Sequence, residues 1–167
     1  RRYPELAPIL AGDLKPPAFD VRTKPRDSIP SDIFRAHRYM YAVARAQPPR
    51  HMRLISPEFP WSVDIKVQGG GQVITVEAVW EALYKALQEP LADSEWGMIV
   101  LDENNLERME FAARKRRDKE GSNAPRYKRV DWLGDGVLFK GLVRDEGFER
   151  RRLLPGSEKC AETWVVK

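Results

Sequence analysis

The 167-residue chain has one cysteine, Cys160, so it can form no internal disulfide, and the redox logic of cysteine use favours a reducing, intracellular home. It has two histidines, His37 and His51, neither in a spacing such as HxxxH or beside a CxxC, so no metal site is expected. A nucleophilic pair would need Cys160 and a distant histidine brought together by the fold. No apolar run nears the roughly 18 residues of a membrane span. Neither GxxxxGK[ST] nor GxGxxG occurs, so Gly69-Gly70-Gly71 reads as a turn and not a phosphate cradle. The carboxylates Asp64, Glu77, Glu81, Asp102, Glu103 and Asp131 are scattered, with no pairing legible for acid–base work. On these grounds no catalytic, cofactor or metal residue is assigned, and an enzyme ranks last among the function classes.

What is present is a globular composition, 42% hydrophobic and 32% charged, with a net charge of +4 too mild to imply nucleic acid by itself. Pro60 to Pro90 organises the rest. Trp61, Val63, Ile65 and Val67 alternate with Ser62, Asp64, Lys66 and Gln68, the period of a half-buried strand. After the glycine turn, Gln72-Val73-Ile74 can return beside it. Val76, Val79, Trp80, Leu83, Tyr84 and Leu87 then follow at helical spacing, with Thr75 as N-cap and Pro90 as stop. Leu83 is expected against the face carrying Val63 and Ile65.

Residues 1–17 read as a proline-rich N-terminal arm and 18–167 as one domain. The arm is expected to be extended, with residues 18–22 as a strand-like piece laid on the body. Ser31 caps a short helix through Tyr41, Met52 to Ile55 forms a short strand, and 56–60 is a loop. Residues 91–96 read as a loop and 98–101 as a short apolar run. A second, surface helix spans 105–120, its narrow apolar face made by Leu106, Met109 and Ala113. Arg129 to Val143, broken by Gly134-Asp135-Gly136, reads as a hairpin, and Thr163 to Lys167 as a last β-prone run. The fold class is α+β, a mainly antiparallel sheet with one packed helix at 75–89. Its order is similar to a β-grasp layout by analogy.

Several of these segments together resemble a known family: Phe19-Asp20-Val21-Arg22, Ala46-x-Pro48-Pro49 with Met52-Arg53-Leu54-Ile55, Pro60-Trp61-x-Val63-x-Ile65, Thr75-Val76-x-x-Val79-x-x-Ala82-Leu83 and Arg129-Val130-Asp131-Trp132-Leu133. They are similar to a fungal domain family of unknown function, common in mushroom-forming fungi. The resemblance runs from about Phe19 to Val143. It implies this fold and carries over no activity, cofactor or catalytic residue.

Two features remain for binding. Arg114, Lys115, Arg116 and Arg117, with Arg150, Arg151 and Arg152, are candidate contacts for an anionic partner, and the first run is expected to be solvent-exposed at a helix end. Trp61, Trp80 and Trp132 fall in core phase, whereas Trp96 and Trp164 are candidate anchors for a protein partner. The sequence reading is a non-catalytic intracellular protein-interaction module whose sheet edges and arm serve as docking surfaces. The alternative is a nucleic-acid-binding protein using 114–117 and 150–152.

Overall fold

The computed structural model describes residues 2–12, 19–99 and 101–167. Pro16, Pro17 and Ala18 of the expected arm and strand-like piece, and Val100 of the apolar run, lie outside these. Along the chain come helices α1 (Pro8–Ala11), α2 (Pro25–Ser28) and α3 (Ser31–His37), then strands β1 (His51–Ser56) and β2 (Phe59–Lys66). The long helix α4 (Val76–Gln88) follows, then α5 (Asp93–Ile99) and α6 (Glu103–Glu120). A 3-10 turn (Arg129–Leu133), β3 (Leu142–Val143), α7 (Glu146–Arg152) and β4 (Thr163–Val166) complete it.

The sheet runs β2-β1-β4-β3. The β1–β2 and β3–β4 pairs are antiparallel, and β4 lies parallel to β1. The fold is therefore α+β, with a four-stranded mixed sheet. The hairpin that opens it is not closed by the glycines. It turns at Pro57-Glu58, where Ser56 Oγ accepts from the Glu58 N–H at 3.1 Å. Residues 72–74 make no strand, because Ile74 C=O is taken by the Ala42 N–H and Thr75 bridges Tyr41.

One face of the sheet holds the core. Met52, Leu54, Trp61, Val63, Ile65, Trp164 and Val166 pack against Val76, Val79, Trp80, Leu83 and Leu87 of α4, all buried. Thr75 caps α4 by accepting the Ala78 N–H at 3.1 Å, as its position foretold. On α6, Met109 and Ala113 form the narrow buried stripe, and Asp102 caps the helix through the Asn105 N–H.

Three further expectations need correction. Where it is described, the N-terminal segment is not extended: Pro8 and Pro25 each sit in the first helical turn, where a missing N–H is harmless, and Leu6, Ile9 and Leu10 enter the core. Residues 129–143 are not a hairpin. Arg129–Leu133 coils because the Asp131 carboxylate accepts the Lys128 N–H at 2.8 Å, and only Leu142–Val143 joins the sheet. Most of 91–96 also coils, since Asp93 onward is α5.

Candidate functional site

The open flank of β2 arises from its own alternation. The Val67 N–H donates to Arg50 C=O at 3.0 Å, and the Arg53 N–H donates away from β2 to Glu162 C=O at 2.9 Å. Since amides alternate sides along a strand, odd residues of β2 bond to β1, and the N–H and C=O groups of Ser62, Asp64 and Lys66 point outward. No strand pairs with that side among the described residues. Ser62, Asp64 and Lys66 also carry the exposed side chains, on the sheet face opposite the core.

At its start β2 is bulged: the register slips from Leu54–Val63 to Ser56–Phe59, so residues 60–62 oppose Ile55 alone. Pro60, with no N–H to donate, falls within this irregularity. Arg152 of α7 fills the resulting gap in hydrogen bonding. Its guanidinium donates to Ser56 C=O at 2.6 Å and Trp61 C=O at 3.2 Å. Burial pulls the Arg152 pKa below the ordinary arginine value. This anchors α7 over the polar face of the sheet.

Between them lies a groove of about 440 Å³ floored by Arg53, Ile55, Ser62, Asp64 and Thr163. Its far wall is α7 and the following 153–161 segment. Asp64 accepts from His51 Nε2 at 2.6 Å and from Arg53 Nε at 2.9 Å. Burial raises the Asp64 carboxyl, but these hydrogen bonds and the Arg53 charge outweigh it and hold its pKa below the usual value. The fold does bring Cys160 to His51, yet the thiol lies 3.7 Å from the His51 carbonyl oxygen, a backbone contact. Among the described residues no group of three or more His, Cys, Asp or Glu is placed to hold a metal ion.

The sequence candidates divide between surface and interior. Arg116 is not a solvated helix end. Its side chain is 11% exposed and grips Asp131, with Nε to Oδ1 at 2.9 Å and Nη2 to Oδ2 at 3.0 Å. It also donates to Pro125 C=O and to Glu120, while Arg117 donates to Arg126 C=O at 2.5 Å. Those two arginines and Arg152 are thus engaged on internal acceptors. Arg114, Arg150 and Arg151 are exposed, and the Lys115 ammonium lies over the Phe111 ring. The run splits this way because successive helical residues point to different sides.

Trp164 is no exposed anchor either: it is 4% exposed. Its Nε1 donates to the buried Glu162, the Arg144 guanidinium covers its face at 4.5 Å, and Tyr3 meets it edge-on. Trp96 is half-buried against Tyr127, with ring centroids 4.8 Å apart.

The structure also exposes a patch that the sequence reading missed, Tyr39-Met40-Tyr41, with Tyr39 72% exposed. Its backbone is held at the start of α4, where Val76 N–H donates to Met40 C=O and Arg38 pairs with Glu77. Three large apolar-bodied residues in a row just past a helix end were the available signal.

No curated protein and no solved structure matches the chain. The model of one family does match, over residues 17–151, so the protein belongs to the Family of unknown function (DUF6699).

Proposed function

We propose that the domain is a non-catalytic protein-interaction module that takes an extended segment of another protein as an added strand on β2. The observation that carries this reading is the outward row of amides and carbonyls at Ser62, Asp64 and Lys66, bordered by the groove. A strand added there gains main-chain hydrogen bonds from the edge, while every second side chain reaches the groove side and supplies selectivity. Asp64 and Lys66 are charged residues of the kind that discourage indiscriminate pairing of an open edge. We place this role inside the cell, where the buried thiol Cys160 stays reduced. We also read the Pro60–Ile65 strand and the Arg129–Leu133 motif as those of fungal members of the family.

The test is hydrogen exchange on the full chain before and after a binding partner is captured from native extract. The amides of Asp64 and Lys66 should exchange freely alone and become protected in the complex. Ser62→Pro, which removes one outward N–H, should abolish capture with the melting curve retained. Capture that survives Ser62→Pro with these amides still unprotected would refute the edge as the docking site.

A further inference from the structure

The β2 flank carries a sign of charge. Of its two ionisable side chains, Asp64 is neutralised within the chain by Arg53 and by its hydrogen bond from His51. Lys66 is exposed and makes no ion pair or side-chain hydrogen bond among the described residues. Arg50, one step beyond the hairpin pairing, donates to Gly69 C=O at 2.7 Å and pairs with no carboxylate among the described residues. On the polar face Arg53 and Lys66 thus stand with one carboxylate, Asp64, while Arg50, in phase with the buried Met52 and Leu54, lies toward the other face. Further along the groove Glu146, Glu149 and Glu158 stand against Arg144, Arg150, Arg152 and Lys159, one cation in excess. The edge strand and the groove beside it therefore share a small excess of positive charge. On the opposite side of β2, Trp61, Val63 and Ile65 are apolar, and the partly buried Trp132 borders Trp61 edge-on at 5.9 Å.

We infer that the segment added to β2 is acidic and amphipathic, with apolar residues on the Trp61–Ile65 side alternating with aspartate or glutamate on the Lys66 side. Residues directly opposite across two strands share a face, and opposite charges there attract while like charges repel. This inference rests on the edge-pairing reading above and adds the chemistry of the partner.

The test uses two dye-labelled eight-residue peptides, one alternating valine with glutamate and one alternating valine with lysine, titrated against the full chain by anisotropy. The glutamate peptide should bind more tightly, on the order of fivefold, at low salt. Lys66→Glu should erase or reverse that preference, and Ser62→Pro should weaken both peptides. Equal affinities, or a preference unmoved by Lys66→Glu, overturn the acidic partner. The edge reading survives that result if Ser62→Pro still weakens binding. Binding indifferent to Ser62→Pro overturns both, and no binding of either peptide overturns the inference. Displacement of the glutamate peptide by a single-stranded DNA octamer would make bare charge the determinant and also overturn it.

Discussion

Replacing Asp131 with alanine removes the carboxylate that joins α6 to the 3-10 turn. Asp131 is 2% exposed and accepts Arg116 through both oxygens and the Lys128 N–H at 2.8 Å. The variant leaves Arg116 still bonded to Glu120 and to Pro125 C=O, so the cation is not wholly stranded. Breaking one side of a buried pair costs about 3–5 kcal/mol, and the remaining acceptors put this case near the lower end. For a chain of this size each kcal/mol moves the melting temperature by about 2–4 °C, so Asp131→Ala should lower Tm by roughly 6–12 °C. Calorimetry on Arg116→Met, Asp131→Leu and the double variant then isolates the pair. The double should lose much less than the sum of the singles, because an apolar replacement leaves no buried charge. A shift for Asp131→Ala below about 2 °C, or strict additivity in the double, would place the pair among surface ion pairs worth about 0–1 kcal/mol. The same reasoning bears on nucleic-acid binding: replacing Arg114, Arg116 and Arg117 together disturbs the fold through Arg116, so a loss of binding in that triple variant would not reveal an electrostatic footprint.

Leu83→Ala should cost about 2–5 kcal/mol by urea denaturation, since Leu83 is 1% exposed in the α4–sheet core; a midpoint within error of the parent would remove it from that core. Gly141→Ala should cost about 1–3 kcal/mol, measured the same way, because φ is +124° and a Cβ would lie 3.3 Å from the Gly12 nitrogen and Leu10 oxygen, backbone atoms that cannot swing aside. Acid should destabilise the domain through Asp20, Asp64 and Glu120, whose pKa values burial raises but whose cationic partners lower on balance. The unfolded chain binds more protons, so this stability is complete above the ordinary values of 3.8 and 4.5 and is lost as pH falls below them through the native ones. Urea midpoints should be flat from pH 7 to about 5 and then fall, and Asp64→Asn should make that fall shallower; an unchanged slope would discount Asp64.

The sequence alone determined the elements whose cause is local. The alternation from Trp61 to Lys66 made β2 a half-buried strand, and the stripe from Val76 to Leu87 with Thr75 before it made α4, because side-chain period and capping act within a few residues. It also determined that Ser62, Asp64 and Lys66 would face water, though not that their backbone amides would be unpaired. That required knowing which strand stands beside β2. Only the tertiary structure decided this, by setting β4 parallel to β1, on the side away from β2, through contacts some 110 residues apart. The proline count misled about the N-terminus because proline obstructs a helix interior and suits a first turn, and position rather than frequency decides between them. Arg116, Arg152 and Trp164 look in sequence like surface charges and an exposed aromatic. Each was drawn inward by an acceptor distant in sequence or set by the sheet: Asp131, the bulge carbonyls at Ser56 and Trp61, and Glu162. Each of these three buried donors reached an acceptor that only the folded arrangement places beside it, which no side-chain periodicity encodes.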